Sequence, residues 1–121
     1  MTSLSVIIPV YNSAESLPKL LAEMEHTLPA VADAFEVIFV NDGSRDNSWQ
    51  VITGLIQTYP WVRGYELMRN YGQHNALLCG IRAARYDLIA TMDDDLQHPP
   101  AELPKLLAKL DELGTREDVP A

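Results

Sequence analysis

Residues 91–100 read "TMDDDLQHPP", in which an apolar run enters three consecutive aspartates and leaves through Gln97, His98 and two prolines. Adjacent carboxylates repel, and the end of an apolar strand is a costly place to gather them unless something offsets their charge. Side chains of an extended run alternate between faces. If the extension continues, Asp93, Asp95 and Gln97 share one side and Asp94 takes the other. Two carboxylates and an amide oxygen are hard ligands suited to Mg2+ or Mn2+, with water or phosphate oxygens completing the shell. A cation there would also remove the repulsion. The plain alternative is an acidic turn solvated by water.

Two other clusters have similar placement. "YNSAE" follows the apolar run 4–10, and "NDGSRDN" follows the run 35–40. Asp42 stands where an acid commonly meets a ribose hydroxyl or a base N–H, and Gly43 permits a tight turn. An ordinary turn with a helix cap explains the same three letters, and Asp46 reads as that cap. Tyr11 could cover a base by stacking or simply pack. Pro9 lacks an N–H, which marks a strand end or a ladder group left unpaired. His98 stands beside the acidic cluster and His74 at a helix start. Neither has a second histidine at ligand spacing, which disfavours zinc. Ser44 and Ser48 have no His/Asp partners that would make a nucleophilic triad. The stretch "PVYNSAES" carries no glycine, so a G-x-G-x-x-G dinucleotide fingerprint is absent, as is a P-loop. A phosphate bound here must be met by something other than a glycine cradle.

The elements that position these clusters alternate. "LSVIIPV", "FEVIFV", the weaker and half-polar "VRGYELM", and "YDLIATM" read as strands. Between them, Leu17, Leu20, Leu21, Met24 and Leu28 make one helical face, with Ser13 as expected N-cap and Glu15 in the first turn. Trp49, Ile52, Ile56 and Tyr59 mark a second helix, capped from within residues 44–46. Ala76, Leu77, Gly80, Ile81 and Ala84 mark a third, with small residues suited to close packing. Leu103, Leu106, Leu107, Leu110 and Leu113 make a last stripe opened by Pro99 and Pro100. The expected fold is therefore α/β, a three-layer, mainly parallel sheet of about four strands with flanking helices. Ligands of such sheets collect beyond the carboxyl ends of the strands, and there the three polar clusters converge.

At 121 residues the chain is about one domain, 47% hydrophobic and 21% charged, with a net charge of −8. That charge argues against nucleic acid, whose backbone demands a basic face. It leaves room for a phosphorylated small molecule bridged by a cation. No apolar run reaches the roughly 20 residues needed to cross a bilayer, and "LSVIIPVY" lacks the basic leader and cleavage site of a signal peptide. Cys79 is alone, permits no intrachain disulfide and fits a packing role in a reducing cytoplasm.

Taken in order, "SVIIPVYNSAESLPKLL", "FEVIFVNDGSRDNS" and "RNYGQHNALLCGIRAARYDLIATMDDDLQHPPAELPKLL" resemble the N-terminal half of family-2 inverting glycosyltransferases with the GT-A fold. "NYGQH" and "DLQHPP" are most similar to the group that contains dolichyl-phosphate mannose synthase and the undecaprenyl-phosphate sugar transferases. The resemblance implies that Pro9 and Tyr11 border a nucleotide base, with Asn12 and Ser13 beside them and Val40 and Asp42 contacting it. It places Arg69 and Asn70 near the diphosphate. Asp93 and Asp95 match the family's D-x-D pair, Gln97 the amide that joins them at the metal, and Asp94 the variable middle position, where mainly the backbone meets the nucleotide. Asp95 is the one residue expected to be catalytic. Ser13 departs from relatives that carry an acid there, while Glu15 is retained as a donor contact.

The function so implied is metal-dependent transfer of a sugar from a nucleotide diphosphate donor, UDP-linked by preference, with inversion. A polyprenyl phosphate is the expected acceptor. The chain would lie in the cytoplasm or at the inner membrane surface. Residues 1–113 are expected to form the donor-binding domain and residues 114–121 a frayed tail, with the acceptor-binding half absent. A non-catalytic nucleotide-binding remnant, acting through a partner chain or through homo-oligomers at an exposed sheet edge, is the rival reading. A Mg2+-dependent phosphatase or receiver-like domain ranks lower, because its acids belong at the end of the first strand.

Overall fold

The computed structural model describes residues 3–92, and the acidic cluster from Asp93 onward, the last apolar stripe and the tail lie outside the described residues. Chain order is β1 (Ser3–Val10), α1 (Leu17–Val31), β2 (Ala34–Asn41), α2 (Ser48–Thr58), β3 (Val62–Glu66), α3 (Gln73–Ala83) and β4 (Leu88–Thr91). All pairings are parallel, and the strands lie in the order β3-β2-β1-β4. The expected α/β architecture is what the chain adopts.

Alternation along β1 and β2 builds the two faces. Leu4, Val6, Ile8 and Val10 join Val37 and Phe39 beneath α1 and α2. Ile7, Ile38 and Val40 point the other way, onto Ala76 of α3. The five expected α1 residues, Leu17, Leu20, Leu21, Met24 and Leu28, are all fully buried, each stabilising the fold by about 2 kcal/mol. On α3 the small residues let the helix sit close: a Cβ added to Gly80 would lie 2.3 Å from Ile7 Cγ2. Ile81, expected on that face, is instead 39% exposed. The order in which strands add reverses after β3, because β4 joins on the far side of β1. Crossovers of one hand then place α3 on the face opposite α1 and α2. In such sheets the usual ligand position is beyond the carboxyl ends of the strands, near the point where the order reverses.

Pro9 illustrates how the ladder accommodates a missing donor. The Met92 N–H donates to the Ile7 carbonyl at 3.0 Å, and the Asp42 N–H to the Val10 carbonyl at 2.8 Å. Main-chain groups alternate sides along a strand. Pro9 therefore faces the β4 side, where pairing stops at Ile7 and Thr91, and no bond to β2 is lost.

Toward the amino end of the sheet, on the α3 face, a polar cluster is buried. Glu36 accepts from the Ser5 hydroxyl at 2.6 Å, Arg63 Nε at 2.9 Å and the Arg85 N–H at 2.7 Å. Arg63 also donates to the Ala83 carbonyl at 2.6 Å, so the end of α3 is tied to the sheet. Burial pushes the Glu36 carboxyl up, but the Ser5 hydroxyl, the Arg85 N–H and the Arg63 guanidinium outweigh it and hold the group below its ordinary value.

Candidate functional site

Beyond the carboxyl ends of β1, β2 and β3 three loops meet. The first begins at Tyr11, which is 44% exposed. Asn12 takes a left-handed conformation, φ +52°, which asparagine tolerates better than most residues. Its side-chain oxygen accepts the Arg45 N–H at 2.8 Å, and its own N–H donates to the Ser44 hydroxyl at 3.0 Å. The Ser13 N–H donates to the Ser48 hydroxyl at 3.1 Å, and the Ala14 N–H to Asp46 at 3.2 Å. The β1 loop and the β2 loop are thus stitched into one platform.

That stitching corrects the expected helix starts. Ser13 does not cap α1: the helix begins at Leu17, with Ser16 as its flanking residue and no side-chain cap bond. The Ser13 N–H and hydroxyl are used within the loops instead, the hydroxyl donating to the Tyr11 carbonyl at 3.0 Å. Glu15 stands exposed before the helix, outside its first turn. Nor is α2 capped from within residues 44–46: Asn47 flanks its start and makes no side-chain cap bond, while Asp46 accepts the Ser48 N–H at 3.0 Å and also holds the β1 loop. Slight burial raises its carboxyl, and the Ser48 hydroxyl and the Ala14 and Ser48 N–H groups together bring it below the ordinary value. Ser48 donates its hydroxyl to that same carboxylate, so it is no nucleophile with a histidine base.

The second junction is between the β2 loop and residues 67–72. The Leu67 N–H donates to the Asn41 carbonyl at 2.9 Å. Asp42 is 3% exposed, and its two carboxylate oxygens accept the Tyr71 N–H at 2.8 Å and the Gly72 N–H at 3.1 Å. Gly43 has φ +69°, and a Cβ there would lie 2.4 Å from the Asn70 nitrogen. Glycine is required twice over, by conformation and by the approach of another backbone. Arg69 then lies over the Tyr71 ring, 4.9 Å from its centroid.

A cavity of about 440 Å³ opens between these loops, lined by Tyr11, by Asn41 at the end of β2 with Gly43, Ser44 and Arg45 beyond it, and by residues 66–70 at and after the end of β3. Of the expected site residues, Tyr11, Arg69 and Asn70 line it, while Asn12, Ser13 and Asp42 do not and instead bond to the adjoining loops. Pro9 and Val40 are register partners, both buried, and neither lines the cavity. Asn41, Arg45, Glu66, Leu67 and Met68 also line it, and no motif in the sequence singles them out. Their signal was position, since each stands at or just past a strand end. His74 lies in the first turn of α3, as expected. Asp93, Asp94, Asp95, Gln97 and His98 lie outside the described residues, and among the described residues no group of three His, Cys, Asp or Glu side chains could hold a metal.

The chain is 45% identical over 109 residues to the undecaprenyl-phosphate 4-deoxy-4-formamido-L-arabinose transferase of Shewanella sediminis (strain HAW-EB3), covering 89% of this chain and 33% of that protein. Among solved structures it is similar to the mannosyltransferase PcManGT from Pyrobaculum calidifontis, in complex with GDP-Man and Mn2+. That likeness has a TM-score of 0.77 and 23% identity, over 93% of this chain and 32% of that one. It is also similar to TarS 1-349 of S. aureus in complex with UDP-GlcNAc, with a TM-score of 0.67 and 24% identity, over 91% of this chain and 31% of that one. At those identities the structures speak for the fold alone, and the chain spans about a third of the length of these relatives. The match that reaches furthest in kind is to the description "Glycosyl transferase family 2", which covers residues 5–116, and with the GT-A arrangement of sheet and helices it establishes that this chain belongs to glycosyl transferase family 2.

Proposed function

We propose that this chain is the donor-binding part of an inverting glycosyltransferase, which moves a sugar from a nucleotide diphosphate, UDP by preference, to a polyprenyl phosphate. The observation that carries the reading is the cavity at the carboxyl ends of β1, β2 and β3, with Tyr11 on one wall and Arg45 and Arg69 on others. An aromatic ring and two guanidinium groups suit a base and a phosphate, and the acidic cluster begins one residue after Met92, directly beyond β4. Asp93, Asp95 and Gln97 would hold Mg2+ or Mn2+, with Asp95 as the catalytic member and Asp94 touching the nucleotide through its backbone. The cation's contribution, when bound, is to stabilise charge on the leaving diphosphate. Within the chain, Tyr11 covers the base, Asn12, Ser13 and Glu15 serve the ribose side, and Arg69 and Asn70 approach the diphosphate from the opposite wall. An acceptor phosphate is already anionic and needs no base to activate it.

The competing reading is a nucleotide-binding unit that works with a partner chain. No helix among the described residues is long and apolar enough to cross a membrane, and action at the cytoplasmic membrane surface belongs to the proposal. So does self-association through β3 and β4, the outer strands among the described residues.

Calorimetric titration with UDP, GDP and CDP, with and without Mn2+, tests the reading. Metal-dependent binding of one nucleotide is expected, lost in Asp95→Ala and kept in Asp94→Ala. Failure of all three to bind would sink it. Turnover of a bound donor with polyprenyl phosphate then separates the enzyme from the non-catalytic unit.

A further inference from the structure

We propose that the cleft at the amino ends of β2 and β3 is a second ligand site, separate from the donor cavity, which takes a small anion carried on a flat apolar ring, as in an aromatic carboxylate or an aryl phosphate. The cleft has a volume of about 460 Å³ and is lined by Phe35 and Glu36 at the start of β2, Trp61 ahead of β3, Arg63 within it, and Arg85 and Tyr86 after α3. That volume is in the range of small-molecule sites. Phe35 and Glu36 open β2, while Asn41, which lines the donor cavity, closes it. Six residues of extended chain set those ends roughly 20 Å apart, and the proposal stands independently of the donor-site reading.

The charge of the cleft is opposite to that of the chain. Glu36 is 4% exposed and both its oxygens are occupied. One accepts from Arg63 Nε, the other from the Ser5 hydroxyl and the Arg85 N–H. A carboxylate so held has little left to offer a ligand. Arg63 is committed in turn, donating to the Ala83 carbonyl at 2.6 Å and the Tyr65 hydroxyl at 3.1 Å. Arg85 differs. Its backbone is fixed by the N–H on Glu36, yet among the described residues its exposed guanidinium makes no hydrogen bond or ion pair. Asp87, two residues on, is exposed and does not line the cleft. Two guanidinium groups against one carboxylate leave a positive cleft in a chain of net charge −8. Guanidinium groups take carboxylates and phosphates in a two-bond fork, and Arg85 has its fork free.

The apolar wall is held as firmly. Phe35 and Trp61 meet edge to face with centroids 5.4 Å apart, and Tyr59 lies 5.0 Å from Trp61. All three are half-buried and pack against the core, which leaves part of the Phe35 and Trp61 surface open to the cleft. Tyr86 is set by its N–H on the Ser5 hydroxyl at 3.2 Å. Three separate segments are thus in place before any ligand arrives, which lowers the ordering cost of binding. Ring surface beside a free guanidinium suits an anion with a flat body, whose ring packs on Trp61 or Phe35 while the anion reaches Arg85.

Phenyl phosphate, benzoate and inorganic phosphate are the probes, added to this chain labelled with 15N. The readout is the indole N–H signal of Trp61, assigned through the backbone and checked with Trp49→Phe, the chain having two tryptophans. Phenyl phosphate or benzoate should shift it saturably at about millimolar concentration, and the tighter of the two names the head group. Inorganic phosphate, without a ring, should bind at least about tenfold more weakly. Arg85→Ala, at an exposed side chain that leaves the backbone bond to Glu36 intact, should weaken both ring anions by about tenfold or more, with Arg85→Lys between it and the parent. Saturating UDP with Mn2+ should leave these affinities unchanged. Absence of a saturable shift with either ring anion would overturn the proposal. So would equal binding of inorganic phosphate, unchanged binding by Arg85→Ala, or competition by UDP, which would make the cleft part of the donor site.

Discussion

Replacing Gly80 by alanine should destabilise this protein, although helix propensity alone says the reverse. Alanine is favoured over glycine in a helix interior by about 1 kcal/mol. Gly80 sits inside α3 (Gln73–Ala83) against the sheet, and a Cβ there would lie 2.3 Å from Ile7 Cγ2 and 3.3 Å from Val40 Cγ2. Both neighbours are fully buried, and Ile7 belongs to β1, held on one side by β2 and on the other by β4. Ile7 cannot swing aside without leaving its rotamer, and lifting α3 by about 1 Å would forfeit the dispersion contacts of Ala76. Overpacking of this kind costs roughly 1–3 kcal/mol, which over most of that range exceeds the propensity gain of about 1 kcal/mol and leaves a net loss of up to about 2 kcal/mol. Gly54 is the internal control. It stands inside α2 (Ser48–Thr58) with nothing within 4 Å of an added Cβ, so Gly54→Ala should gain about 1 kcal/mol. Urea denaturation of the two variants beside the parent reads both values. Equal stabilisation by the two substitutions would refute the claim that α3 is seated by contact with Ile7, and with it the account of how α3 and the preceding wall of the cavity are placed.

Three further outcomes are expected. Glu36→Gln should destabilise by roughly 1–3 kcal/mol at neutral pH, because it leaves Arg63 without its charge partner. Since the folded state holds the Glu36 carboxyl below its ordinary value of 4.5, its contribution is full above that value and is lost as pH falls through the lower folded one. Denaturation midpoints measured between pH 7 and pH 3 should fall less steeply in Glu36→Gln. Asn12→Ala should lose about 1–2 kcal/mol, from a left-handed alanine and the lost bond to the Arg45 N–H, and Asn12→Gly should lose less because glycine accepts that conformation. Tyr11→Ala should weaken UDP binding by about tenfold or more through lost stacking, with Tyr11→Phe close to the parent in the same titration.

Much of this was readable from local pattern. The α1 stripe could be read residue by residue, because a helix repeat is set by neighbours three and four apart, and all five residues are buried. The edge position of β3 was visible in its half-polar run, and "VNDGS" announced a turn by its glycine. Helix starts were less legible. Ser13 has the chemistry of a cap, yet its N–H is used by Ser48, 35 residues away.

Sequence by itself determined the element order, the two faces of β1 and β2, the parallel sheet and the family, since each depends on short-range periodicity or on ordered motifs. Tertiary structure alone decided that β4 adds beside β1, that Glu36, Ser5, Arg63 and Arg85 meet, and that Asp42 turns inward to the Tyr71 and Gly72 amides. The physical reason is that these contacts join residues far apart in the chain. A carboxylate's nearest donors depend on where the backbone returns, which no local spacing encodes.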